Sequence, residues 1–230
     1  MDDTTAVVTG ASRGIGAAVV REFADAGARV ICCARDGDEL DEVVAEARDA
    51  EGEVTAVRAD VRDEYDVERL MEAAARVGGD IDVVVANAGV NHGTPGEMPL
   101  HEEAYSRFDD TMRTNVRGVF ATVTEAVPHL SETARILVVS GSVAREAKAG
   151  MGAYAVSKAA AEGLARGFRA DLPNPIFVVD PGLVATDVTD GQGRDPADVT
   201  GLFRWAATDA DPEETEDGIV GLREWKRATR

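Results

Sequence analysis

Lysine, histidine and cysteine are all scarce in this chain of 230 residues, and each scarcity removes a class of function. The lysines are Lys148, Lys158 and Lys226 alone, and 24 basic residues of both kinds face 43 acidic ones, for a formal net charge of −19. A surface so acidic repels phosphate backbones and anionic lipid, so neither nucleic acid nor a membrane is an expected partner. The histidines His92, His101 and His129 share no ligand spacing with one another or with the cysteines, and no metal site is expected. The only cysteines, Cys32 and Cys33, are neighbours in an apolar run that sends them to opposite faces, which makes them core thiols and not a disulfide. No G-x-S-x-G elbow surrounds Ser142, so a hydrolase built on that serine has no motif support. No apolar stretch approaches the ~18 residues of a membrane span, and the acidic start Met1-Asp2-Asp3 lacks a signal-peptide pattern, so the expected location is the cytoplasm.

What is present is a chain with 44% hydrophobic residues, its carboxylates spread over the whole length and no repeat, low-complexity tract or linker. That is a charged shell around a core, and its length suits one domain spanning residues 1–230. Many hydrated carboxylates with few lysine stems suggest a protein kept soluble in high salt, a halophilic setting whose signature would be instability at low ionic strength.

The pattern alternates strand and helix. Thr5–Thr9 is apolar and runs into Gly10-Ala11-Ser12-Arg13-Gly14-Ile15-Gly16, after which Ala17, Val20, Phe23 and Ala24 recur at helical spacing. Strand, glycine turn and helix in this order form the setting of a dinucleotide phosphate site, because bare backbone N–H groups and the positive helix end both face the anion. Its spacing, G-x-x-x-G-x-G, departs from the common G-x-G-x-x-G. A second strand, Arg29–Ala34, ends at Arg35, where an acid would otherwise hold a free ribose hydroxyl. Arg35 and Arg13 can pair with a 2′-phosphate, which points to NADP(H), with NAD(H) possible because Asp36 adjoins Arg35 and opposes it.

Further along, helices are expected over Asp38–Ala50, Asp63–Val77, Glu102–Asp110 and Asn115–Leu130, the last with Val116, Val119, Phe120, Val123 and Val127 as its apolar stripe. Strands are expected over Val54–Val57, Ile81–Ala86, Arg135–Val139 and Ile176–Val179, with a last short one near Gly218–Leu222. Val90–Leu100 reads as a loop in which His92 faces either substrate or, the simpler reading, water, and Leu183–Thr200 as a mobile lid ahead of a helix around Ala197–Ala207. In Gly152-Ala153-Tyr154-Ala155-Val156-Ser157-Lys158, Tyr154 and Lys158 stand at i and i+4 on one helix face. An ammonium beside a phenol lowers the phenol pKa, usefully so only in a partly desolvated cleft, since at ~4 Å the pair is worth about 1 kcal/mol in water and about 4 at an effective dielectric near 20.

With the glycine turn, Asp60, Asn87-Ala88-Gly89, Asn115, Ser142, Tyr154-x-x-x-Lys158 and Pro181-Gly182 in this order, the chain resembles the short-chain dehydrogenase/reductase family from residue 5 to about 190. The resemblance implies a Rossmann-like doubly wound parallel sheet of about seven strands and hydride transfer between a nicotinamide cofactor and a small carbonyl or alcohol substrate. Tyr154 would pass the proton, Lys158 would lower its pKa and hold the nicotinamide ribose, Ser142 would hydrogen-bond the substrate oxygen, and Asn115 would hold a water leading to solvent. Gly10, Ser12, Arg13, Gly14, Ile15 and Gly16 would cradle the adenosine and pyrophosphate, Asp60 and Val61 the adenine, and Asn87 and Gly89 the path between. Pro181, Gly182, Val184 and Thr186 would meet the nicotinamide. A 3-oxoacyl-thioester reductase is one substrate reading, a homo-dimer or homo-tetramer the implied assembly, and a dinucleotide-binding regulator on the same fold the alternative function. Two departures stand out: Ile176-Phe177-Val178-Val179-Asp180 replaces the family's Arg-Val-Asn-like run before Pro-Gly, and the family's carboxyl-terminal Gly-Gly is missing.

Overall fold

Strand-forming runs rich in valine and isoleucine pair, in a computed structural model describing all residues Met1–Arg230, into one seven-stranded parallel sheet. In chain order the elements are β1 (Thr5–Thr9), α1 (Gly14–Asp25), β2 (Arg29–Ala34), α2 (Gly37–Glu46), β3 (Glu53–Arg58), α3 (Glu64–Gly78) and β4 (Ile81–Ala86). Then come α4 (Tyr105–Met112), α5 (Gly118–Ala126), β5 (Leu130–Val139), α6 (Gly152–Asp171), β6 (Ile176–Asp180), α7 (Thr200–Thr208), β7 (Ile219–Gly221) and α8 (Leu222–Ala228). The sheet order is β3-β2-β1-β4-β5-β6-β7. Strand order therefore reverses between β1 and β4, and the crevice at the carboxyl ends of these two strands is where such sheets bind ligands.

Both faces of the sheet are covered, which is why its central strands are apolar without alternation. One core gathers Val19 and Phe23 of α1, Leu40 and Val43 of α2, and Leu202 and Phe203 of α7. The other gathers Val67, Leu70 and Met71 of α3, Val119 and Val123 of α5, and Ala161 and Ala165 of α6. Cys32 lies in the first core and Cys33 in the second, both free, as the period of a strand requires. No helix is long and apolar enough to cross a membrane.

The structure corrects four readings of the pattern. The helix expected over Asn115–Leu130 is divided: Arg113–Arg117 forms a π turn, α5 ends at Ala126, and Val127–His129 is a tight 3-10 turn with Pro128 near its start. Phe120 and Val127 point outward from it, Phe120 being 49% exposed and stacked on Phe168 at a centroid distance of 5.9 Å. β5 begins at Leu130, five residues before the expected Arg135, with a register shift in its pairing to β4. After β7 the chain continues into α8, where the Glu224 carboxylate accepts from the Gly221 N–H at 3.1 Å.

Candidate active site

β1 delivers its last residues into a turn that only glycine can make at two points. Gly10 has φ +66° and Gly14 φ +57°, and a Cβ on Gly10 would lie 2.6 Å from the Ala88 Cα. Gly16 serves packing instead, since a Cβ there would strike the Gly10 carbonyl oxygen at 2.2 Å. Asn87 closes the back of the turn by donating to the carbonyls of Thr9 at 2.9 Å and Gly10 at 3.0 Å. The first turn of α1 carries no acidic residue and no side-chain cap, whereas α2 and α3 are capped by Asp36 and Asp63. Its N–H groups are thus left for an anion at the mouth of the cavity.

That cavity, of about 920 Å³, is lined by Gly10, Ser12, Arg13, Gly14, Ile15, Arg35, Asp60, Val61, Asn87 and Gly89 toward one end. Ser140, Tyr154, Lys158, Pro181, Gly182, Val184 and Thr186 line the rest. Nearly every residue expected to touch the cofactor therefore faces one space, with Gly16 set behind the turn. Ser142 and Asn115 are absent from the lining. Ser142 is exposed at the start of a short 3-10 turn, where its carbonyl accepts from the N–H groups of Arg145 and Glu146. Asn115 is buried, and its amide is committed: Oδ1 accepts from Val90 N–H at 2.7 Å, while Nδ2 donates to the Val90 carbonyl and the Ser157 hydroxyl, each at 2.9 Å. Its side chain holds the loop after β4 in place.

Lys158 is buried at 7% exposure and its Nζ donates to the Val139 carbonyl at 2.9 Å. The same Nζ lies 5.7 Å from the centre of the Tyr154 ring. Burial, opposed by the Glu162 carboxylate, draws Lys158 down to about 8. Burial and then the charge of Asp180 push Tyr154 up to about 12. The phenol is thus raised in this geometry, where the ammonium is turned toward the Val139 carbonyl.

The adenosine end is richer in ion pairs than the spacing suggests. Asp60 is gripped by Arg62, whose Nη2 lies 2.7 Å from Oδ2, and Arg62 Nη1 reaches Asp110 at 2.8 Å. Burial works to raise the Asp60 carboxyl, but the hydrogen bonds and charge of Arg62 prevail and hold it below the usual carboxylate range. His92, expected to face water, lines the cavity and pairs through Nε2 with Asp110 at 2.8 Å. Arg13 is held by two carboxylates, Glu39 at 2.9 Å and Asp187 at 2.7 Å. Asp36, beside Arg35 on the cavity wall, accepts from the N–H groups of Asp38 and Glu39 at the start of α2 and forms no ion pair with Arg35. That leaves the Arg35 side chain exposed and unpaired on the cavity wall.

The segment expected as a lid is folded in place. Val184 is buried and bridges to Arg194, Asn91 Nδ2 donates to the Val188 carbonyl at 3.1 Å, and Asp187 meets Arg13 across the cavity. The pattern missed a further set of charged residues beside the site. Arg145 pairs with both Glu162 and Asp180, and Ser140 Oγ donates to Glu162 at 2.8 Å. Glu103 accepts from Ala153 N–H at 3.2 Å, at the start of the helix that carries Tyr154.

Residues 4–197 match the family model described as short chain dehydrogenase. The chain is 39% identical over 222 residues to the 1-deoxy-11-beta-hydroxypentalenate dehydrogenase of Streptomyces exfoliatus, covering 90% of this chain and 80% of that one. A short chain dehydrogenase from Burkholderia cenocepacia, solved in complex with NADP, superposes with a TM-score of 0.84 at 29% identity, covering 96% of each chain. An alcohol dehydrogenase from the archaeon Thermococcus sibiricus, complexed with 5-hydroxy-NADP, gives 0.83 at 28% identity and 95% of each chain.

Proposed function

As the chain belongs to the short-chain dehydrogenase/reductase family and is an oxidoreductase acting on CH–OH groups, we propose that it reduces a carbonyl substrate, with Tyr154 as the proton donor. The observation that carries this is the convergence of Tyr154 and Lys158 in one cavity with the uncapped start of α1 and the positive-φ glycines Gly10 and Gly14. A nicotinamide cofactor fits that cradle, and when bound it supplies or accepts the hydride. The chain's own groups do the rest. A phenol raised to about 12 stays protonated at neutral pH and has a proton to give to a developing alkoxide. Below about 8 Lys158 carries its charge, 5.7 Å from the ring, and stabilises the phenolate left behind. Ser142, exposed on the loop after β5, is assigned to orient the substrate oxygen.

Arg35, free on the wall, supports a preference for NADPH over NADH, and Arg13 adds less than the pattern suggests because Glu39 and Asp187 hold it. The solved relatives bound to NADP and to 5-hydroxy-NADP favour the same cofactor class. The curated relative acting on a deoxy-hydroxypentalenate supports a hydrophobic ring ketone or alcohol as much as a 3-oxoacyl thioester. The exposed stack of Phe120 on Phe168 supports self-association through α5 and α6 as a homo-dimer or homo-tetramer. Two buried free thiols fit the reducing cytoplasm, and the charge of −19 fits a halophilic one. The test is cofactor-dependent turnover of a panel of ring ketones and 3-oxoacyl thioesters followed by NADPH absorbance. Consumption of NADPH with at least one of them is expected, and binding of NADPH without turnover of any would return the chain to the class of dinucleotide-binding regulators.

A further inference from the structure

Behind Tyr154 lies a charge arrangement that the proton-transfer scheme does not use. The Glu162 side chain, only 5% exposed, stands one helical turn beyond Lys158 on α6. It accepts from the Ser140 hydroxyl at 2.8 Å and from Arg145. The other arm of Arg145 donates to Asp180, whose side chain is 14% exposed at the end of β6. The second oxygen of Asp180 accepts from the Gly182 N–H at 3.0 Å. One guanidinium thus joins the loop after β5, the helix carrying Tyr154 and Lys158, and the Pro181-Gly182 turn. Ser140 and Gly182, at its two ends, both line the cavity.

Two carboxylates, Glu162 and Asp180, and two cations, Arg145 and Lys158, make a neutral set when all are ionised. Without Arg145 the set is net negative and faces a phenol that must become an anion after it gives up its proton. The other charged groups around Tyr154 are placed differently. Glu103 is spent on the Ala153 N–H, His92 is paired with Asp110, and Asp187 is paired with Arg13.

We propose that Arg145 is a positioning residue for the reaction: held between Glu162 and Asp180, it neutralises the carboxylate at the end of β6 and fixes the Pro181-Gly182 turn against the catalytic helix. This rests on the reading of Tyr154 as the proton donor. The high pKa of Tyr154, to which Asp180 contributes even when paired, is in line with it. Freeing Asp180 makes the phenolate harder to form, and replacing it by asparagine makes it easier.

The test is a mutant cycle read on Tyr154 itself. The chain has three tyrosines, and Tyr65 and Tyr105 are 65% and 90% exposed, so the ring carbons of labelled tyrosine give three resolvable signals, with Tyr154 assigned from Tyr154→Phe. At pH 11 in molar KCl the Tyr154 signal of the parent is expected to remain mostly phenol, and in Asp180→Asn to move toward phenolate by a shift on the order of one pH unit. Arg145→Met is expected to hold it fully phenol, to do so far less in the Asp180→Asn background, and Arg145→Lys is expected to restore the parent position. An unmoved signal in Asp180→Asn, or an Arg145→Met effect of equal size in both backgrounds, overturns the proposal. Should Arg145→Met fail to fold, Arg145→Gln in the parent and Asp180→Asn backgrounds is read in its place. Should the fold give way below pH 11, the same comparison is read from the pH profile of kcat/KM. A parent that turns over no carbonyl but shows these Tyr154 shifts refutes the proposed function and leaves the arginine clamp standing.

Discussion

Replacing Lys158 by methionine should make the cofactor-free protein more stable while removing its activity. Lys158 has an ordinary value of 10.5 and is drawn down to about 8 by burial, so at pH 7 the fold holds a charged amine that its surroundings disfavour. The difference of about 2.5 pH units corresponds to about 3 kcal/mol. Methionine fills nearly the same volume and removes that cost, but it strands the Val139 carbonyl, which now accepts from Nζ at 2.9 Å. Losing that hydrogen bond costs about 1 kcal/mol, leaving a net gain of about 2 kcal/mol and a rise in Tm of roughly 4–8 °C for a chain of this size. The sign of the pH dependence follows from the lowered value. The unfolded chain binds the extra proton between about 8 and 10.5, so the parent's handicap is complete below about 8 and gone by 10.5. Thermal unfolding of both proteins without cofactor, at pH 7 and pH 10.5, measures this. A variant that melts below the parent at pH 7, or a gain of equal size at both pH values, refutes the reasoning.

Arg35→Asp should lower kcat/KM for NADPH and reverse the cofactor preference; the parent's preference is set at about tenfold because Arg13 is already held by Glu39 and Asp187. A parent that favours NADH, or an unchanged ratio in the variant, removes Arg35 from the site. Raising KCl from dilute buffer to molar concentration should raise Tm, because a charge of −19 repels itself until screened within the ~10 Å Debye length of 0.1 M salt. A Tm that does not rise ends the halophilic reading. Phe120→Asp should leave the circular dichroism spectrum unchanged and shift the sedimenting species toward monomer, since the ring is 49% exposed and stacked only on Phe168. An unchanged sedimentation coefficient places any interface elsewhere.

Much of this architecture could be read from local pattern, and the limits have physical causes. The bounds of β4, Ile81–Ala86, are legible because a fully covered parallel strand is a continuous apolar run closed by polar residues. Tyr154 and Lys158 could be paired because a helix fixes residues four apart on one face. Phe120 reads as inward because a single sequence shows an apolar stripe but not what covers each side of it, and it is half exposed. The clamp on Tyr154 could not be read, since Arg145 lies 17 residues from Glu162 and 35 from Asp180, and only the sheet brings them together. His92 and Asp110, 18 residues apart, are another such case. The attraction between Tyr154 and Lys158 can be estimated from spacing, whereas the desolvation that raises Tyr154 depends on what the fold stacks around the ring.

The central claim is that Tyr154 passes the proton, and Tyr154→Phe tests it most directly. The ring keeps its packing and loses only its hydroxyl, so NADPH affinity, read by quenching of protein fluorescence, should stay within about twofold of the parent. Turnover of the best carbonyl substrate should fall by a factor on the order of 10² to 10⁴, as expected when a positioned acid is removed. A variant that binds NADPH as the parent does and keeps more than a few per cent of its rate would contradict the account.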